Sequence, residues 1–331
     1  MTTEVQAPDL SPRTQATIRR LAHWWDRVGI IAVLLLLVVV MAIFADNFLS
    51  VNNAMNVARA VSINAILAAG MTMIIITGGI DLSVGSILAV SGVTGVLLFT
   101  AGVPTALALL GGIAAGALSG FINGAFVAWL ALPAFIVTLG SMTYLRGTAY
   151  SLLDGQPLIA NQLGYRAIGN GAIAGVPIPV VVMVIVYAVF WFVLERTRFG
   201  RHVYAVGGNA EAARLAGINV KRTLVWVYTI AGGAAGLAGI IFSARVLSAQ
   251  PTAGTGYELD AIAAVVLGGT SLAGGRGRVM GTLIGALIIG VLSNGLVLMN
   301  VPFFYQLITK GIVIVLAVTL DSLRRMGRNG S

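Results

Sequence analysis

"IITGGIDLSVGS", residues 75–86, lies between two apolar runs, about 57–77 and 84–101. About 20 mostly apolar residues cross a bilayer. Gly78-Gly79, Asp81 and Ser83 fall inside what is otherwise such a region. They read as a break in a membrane helix, because a break leaves backbone N–H and C=O groups unpaired. Lipid tolerates that only where the freed groups face protein or a water-filled cavity.

The rest of the chain agrees with a membrane setting. Of its 331 residues, 58% are hydrophobic and only 9% charged, against about 25% charged in an ordinary soluble domain. So few charges cannot coat a globule of this size. The chain reads as an all-α polytopic membrane protein. Its segments run roughly over 28–45, 57–77, 84–101, 105–130, 134–153, 177–195, 223–247, 259–272, 280–299 and 303–320, about ten in all. The run from Val28 follows Arg19, Arg20 and Arg27. It is longer than a signal-peptide core of about 7–15 residues, and no small-x-small cleavage pattern follows it, so it reads as a retained first span.

The net charge of +9 suggests nucleic acid, but the placement of the charges does not. Fifteen of the twenty Lys and Arg fall in 13–27, 196–222, 276–278 and 324–328. That is positive-inside bias. It puts both ends in the cytoplasm, with a tail over 1–27, a membrane domain over 28–320 and a tail over 321–331. The chain has no cysteine, which excludes disulfides and thiolate-held metal. Its two histidines, His23 and His202, lie in basic stretches, so no metal site is expected.

A second break lies in "IAAVVLGGTSLAGGRGRVMG", residues 262–281. The apolar run from Asp260 to Leu267 spans about 12 Å of a core about 30 Å thick. Both breaks carry a glycine pair, Gly78-Gly79 and Gly268-Gly269. Paired, glycine-interrupted segments point to a translocation path. The expected path residues are Gly78, Gly79, Asp81, Ser83, Gly268, Gly269, Thr270 and Ser271. Two plainer readings stay open: Asp81 or Ser83 caps the following helix, or the glycines only permit close packing.

Residues 112–135 align without gaps on 281–304, matching Gly112, Gly116, Ala117, Leu118, Pro133 and Phe135. The two copies cross in opposite directions, as in an inverted repeat. Both glycine pairs, however, fall near the inner side, which a strict inversion does not give. Gly112, Gly116, Gly120 and Gly124 recur every four residues, a smooth helix face that another backbone can approach. Arg146 and Arg245, near outer segment ends, read as snorkelling side chains. The outer loop "SAQPTAGTGYELDA", residues 248–261, is either a plain solvated turn or a docking surface for an extracytoplasmic partner. In the second case Gln250, Thr252, Tyr257 and Glu258 are the docking residues.

No phosphate-binding loop is present. Such a loop ends in Gly-Lys-Ser/Thr, whereas Lys221 precedes Arg222 and Lys310 precedes Gly311. "VGGNAEAARLAGINVKR", residues 206–222, is a short polar helix within all this apolar sequence. Gly207-Gly208 read as a turn, Asn209 as N-cap, Glu211 as a first-turn acid and Gly217 as a left-handed C-cap. A helix of about two turns is unstable alone. It rests on the membrane surface, the protein's own loops or a partner.

The same string resembles the coupling loop of permease subunits of ATP-binding-cassette importers. Their motif centres on Glu-Ala-Ala followed by Gly, matched by Glu211, Ala212, Ala213 and Gly217. "TGGIDLSVG" (77–85) and "QPTAGTGYELDAIAAVVLGGTSLAGGRG" (250–277) resemble the ribose-type sugar permeases, and the likeness runs through most of the chain after about residue 50. The resemblance implies a bacterial inner-membrane importer of a monosaccharide, most like ribose, with 196–222 as coupling loop. It implies a second permease copy or close relative, and two cytoplasmic ATPase domains that bind ATP and Mg and press on Asn209, Glu211, Ala212, Ala213, Arg214 and Gly217. It also implies a periplasmic sugar-binding protein, no cofactor of the chain's own and no nucleic acid. The rival readings are an ion-coupled secondary transporter, a permease of the same class for a non-sugar solute, and a membrane enzyme. The last lacks any nucleophile–base cluster.

Overall fold

The computed structural model describes residues 29–329; the tail over 1–27 lies outside them. Helices α1 (Gly29–Phe44), α2 (Val51–Ile76), α3 (Val84–Thr100), α4 (Thr105–Trp129) and α5 (Ala134–Ser151) come first. A short α6 (Arg166–Asn170) precedes α7 (Ile178–Arg196), α8 (Arg198–Gly208) and α9 (Ala210–Leu215). Then follow α10 (Val220–Val246), α11 (Tyr257–Leu267), α12 (Val279–Leu298) and α13 (Phe303–Asn329). Every expected apolar segment contains a helix. Among the described residues, α2, α4, α7, α10 and α12 are long and apolar enough to cross a membrane. The eighth segment yields only the 11-residue α11, about 16 Å long, so that break is real. The last helix runs past residue 320 to Asn329.

The centre is α2. From Ala65 to Ile76 every residue is buried, as expected of a helix apolar on all faces. Against it pack α10, α12, α11 and α7. Tyr187 of α7 donates its hydroxyl to the Ala65 carbonyl at 3.0 Å. The outer faces carry exposed Leu107, Leu110, Val184, Ile185 and Phe192, side chains suited to lipid.

The glycine stripe on α4 does what its spacing predicts. A Cβ at Gly116 would lie 2.7 Å from the Gly236 Cα, one at Gly120 3.0 Å from the Gly232 Cα, and one at Gly124 2.9 Å from the Val225 Cα. The α4 and α10 backbones therefore meet directly. Gly120→Leu is expected to force them apart and lower stability by at least about 1–3 kcal/mol. A thermal-unfolding midpoint in detergent unchanged from wild type would show that the seam tolerates the bulk. In the aligned copy, Gly281 and Gly285 serve the same end, meeting the Gly268 and Ala264 carbonyl groups beside α11.

The all-α expectation needs one addition. Leu158–Ile159 (β1) pairs antiparallel with Ser248–Ala249 (β4), and Ala172–Ile173 (β2) with Val176–Pro177 (β3). These short strands organise the loops between membrane helices, where backbone groups outside a helix need partners.

Candidate functional site

The polar segment over 196–222 is built from its caps. Thr197 accepts the Gly200 amide at 3.2 Å and opens α8. Asn209 accepts the Ala212 amide at 2.9 Å and opens α9. Gly217, at φ +84°, closes it: its amide reaches the Arg214 carbonyl and the Ile218 amide reaches the Ala213 carbonyl, both at 3.0 Å. That pair of bonds is a Schellman ending, which a glycine makes without Cβ strain. Only Ala213 of α9 is buried. Leu215 is 79% exposed, and Glu211 and Arg214 form an exposed pair at 2.5 Å. The Arg214 hydrogen bond, then its charge, holds the Glu211 carboxyl below its ordinary range.

One expectation fails here. Gly207-Gly208 are not a turn; they end α8. The reason lies in tertiary packing. A Cβ at Gly207 would overlap the Ile76 carbonyl oxygen and lie 2.7 Å from the Gly275 amide nitrogen. The Gly275 amide itself donates to that carbonyl at 2.8 Å. A Cβ at Gly274 would lie 2.8 Å from the Gly207 oxygen and 3.0 Å from the Gly78 nitrogen. Three chain segments, 76–78, 207–208 and 274–275, thus meet backbone to backbone. Tyr204 adds a bond to the Gly277 carbonyl at 2.9 Å. Both interrupted segments therefore lie beside the end of α8, next to the polar stretch over 206–222.

The expected path residues divide. Asp81, Ser83 and Thr270 are fully buried, Ser271 is half-buried and Gly78 and Gly269 are exposed. Asp81 accepts from the Ser83 amide at 2.7 Å and its hydroxyl at 2.6 Å, an Asx turn ahead of α3. Ser83, the N-cap residue, makes no side-chain bond to the helix amides, so the plain capping reading is not what forms. The chain of bonds continues from Asn123 to the Ser83 hydroxyl at 2.9 Å and from the Ser141 hydroxyl to the Asn123 side-chain oxygen. Thr138 donates to the Ile80 carbonyl at 3.1 Å. The first break is tied to α4 and α5 by its polar groups. Gly79 faces the Tyr228 hydroxyl of α10, and Gly268 packs on the Gly281–Thr282 backbone of α12.

The loop over 248–261 is no solvated turn. Ser248, Ala249 and Ala253 are buried, and Arg146 donates to the Pro251 and Ala253 carbonyl groups, each at 2.6 Å. Arg146 is thus a clamp and not a snorkelling side chain. Of the four docking candidates, Thr252 is exposed, while Gln250, Tyr257 and Glu258 are half-buried. The Tyr257 ring meets Phe242 edge-on with centroids 6.4 Å apart.

Two features escaped the sequence reading. Asp260, 7% exposed at its side chain, pairs with Lys310 of α13 at 2.9 Å. A lone lysine in an apolar helix was the signal for it. On α5 the open stripe Gly140, Thr143, Tyr144 and Gly147 has the i, i+3, i+4, i+7 spacing of one helix face. Neither glycine has anything within 4 Å.

The family profile for the branched-chain amino acid transport system / permease component matches residues 53–318. The ribose import permease protein RbsC of Escherichia coli is 49% identical over 298 residues, 88% of this chain and 92% of that one. RbsC of Bacillus subtilis is 48% identical over 89% and 92%, and the D-allose transport system permease protein AlsC of Escherichia coli is 39% identical over 91% and 93%. No solved structure matches the chain. With five helices long and apolar enough to cross a membrane and a family profile that covers most of its length, this multi-pass membrane chain belongs to the family of transport-system permease components.

Proposed function

We propose that the chain is the permease subunit of an ATP-binding-cassette importer that brings ribose, or a close monosaccharide, through the bacterial inner membrane. Near-half identity to RbsC across both chains carries the reading. Two copies, or a copy and a relative, pair in the membrane, each with about ten crossings and both ends in the cytoplasm. Tails over 1–27 and 321–331 flank the permease domain over 28–320. Two cytoplasmic ATPase domains bind ATP and Mg and hold α9 through Asn209, Glu211, Arg214 and the exposed Leu215. A periplasmic sugar-binding protein delivers substrate near Thr252. One observation favours a second reading: the family description names branched-chain amino acids, so the solute of a variant member need not be a sugar.

Motion of α9 reaches both breaks in a short step, since α8 ends on their backbones. Asp81, Ser83 and Thr270 hold the breaks in shape. The sugar passes along the α5 stripe, where the Thr143 and Tyr144 hydroxyls and two glycines leave room for a hydroxylated solute. This chain has no cysteine, so a cysteine at Thr143 gives a clean probe. It is expected to react with a small polar thiol reagent at a rate that changes during ATP turnover. One constant rate would place the path elsewhere.

The whole reading is tested in proteoliposomes carrying the permease, its ATPase subunits and the binding protein. Ribose-loaded binding protein is expected to stimulate ATP hydrolysis several-fold and to drive labelled ribose inward. Stimulation by leucine-loaded binding protein, with none by ribose, would establish the second reading instead.

A further inference from the structure

On the face of the α4–α10 seam nearest the coupling loop lies an open groove of about 400 Å³. Leu118, Phe121 and Trp129 of α4 line one wall, and Arg222 and Trp226 of α10 the other. Phe121 and Trp129 meet edge to face, with centroids 5.9 Å apart. All three aromatic rings are exposed. Arg222, also exposed, lies in the first turn of α10. Among the described residues no carboxylate comes within ion-pairing distance of its guanidinium.

An apolar wall alone is what any lipid-facing helix offers. The combination here is more particular. Tryptophan rings settle at the headgroup level of a bilayer. An arginine fork matches two phosphate oxygens. Basic pockets between membrane helices gather anionic headgroups. A cation with no carboxylate partner among the described residues, at the mouth of an apolar groove rimmed by two tryptophans, complements one ligand class: a negatively charged headgroup on an acyl chain. We propose that the groove is a binding site for an anionic phospholipid. Its phosphate sits on Arg222, and an acyl chain lies over Leu118 and Phe121 between Trp129 and Trp226. The site does not depend on what the protein transports. A lipid there would neutralise Arg222 a few residues from α9.

The test uses the full chain in nanodiscs of mixed phosphatidylcholine and phosphatidylglycerol, with bound lipid counted by native mass spectrometry. Wild type is expected to retain phosphatidylglycerol in preference to phosphatidylcholine. Arg222→Gln should weaken that retention about fivefold, the effect of one arginine at a membrane surface, whereas Arg222→Lys keeps most of it. Leu118→Trp, which fills the groove, should expel the lipid while Arg222 stays in place. If that variant does not fold, Arg222→Gln still decides, because Arg222 is exposed and makes no ion pair among the described residues. Equal retention by wild type and Arg222→Gln overturns the proposal. So does efficient disulfide formation between copies carrying Leu118→Cys, which would make the groove a contact between permeases.

Discussion

Gly207→Val is expected to abolish coupled transport while leaving the chain inserted in the membrane. The branched side chain has no room, since even a Cβ would run into the Ile76 carbonyl and the Gly275 amide. The end of α8 must then leave the two interrupted segments, and α9 loses its seat. Gly208→Ala is the control, because nothing lies within 4 Å of a Cβ there. It replaces a glycine at the last residue of α8, where φ is not positive, and should stabilise by about 0.4–1 kcal/mol. In reconstituted complexes the valine variant is expected to hydrolyse ATP without response to loaded binding protein, with transport down at least about tenfold. The alanine variant should match wild type. Equal behaviour of the two would mean that the three-way backbone junction transmits nothing.

Breaking the Asp260–Lys310 pair carries the second large effect. The pair joins the half-length α11 to α13, whose principal neighbours are α11 and α12. Asn64 also approaches Asp260, at 3.4 Å. Removing one partner strands the other charge among apolar helices, at a cost of about 3–5 kcal/mol when burial is complete. Lys310 keeps 23% of its side chain exposed, so the lower end of that range applies. Asp260→Asn and Lys310→Met should each lower the unfolding midpoint clearly. The double variant should sit well above the sum of the two losses, because no unpaired charge remains. Simple additivity would show that the two groups act separately.

The membrane class, the segment positions and the caps of α9 were legible in the sequence, for a local reason. Apolar runs, Asn209 as N-cap and Gly217 as left-handed terminator act through neighbours in the chain, and periodicity records such neighbours. The α4 glycine stripe was legible for a similar reason, since a regular spacing on one helix implies a partner without naming it. That the partner is α10 was decided by tertiary structure. So was the role of Gly207-Gly208. Glycine pairs ordinarily make turns, but here the pair ends a helix, and the close approach of residues 76 and 275 requires glycine at 207. Arg146 read as a snorkelling side chain because its two carbonyl partners lie more than a hundred residues away. Asp260 gave no hint of Lys310 for the same reason. Local conformation is set by contacts a few residues apart, which a sequence displays. Clamps, ion pairs and backbone junctions are set by contacts between remote segments, and only the packed chain brings those together.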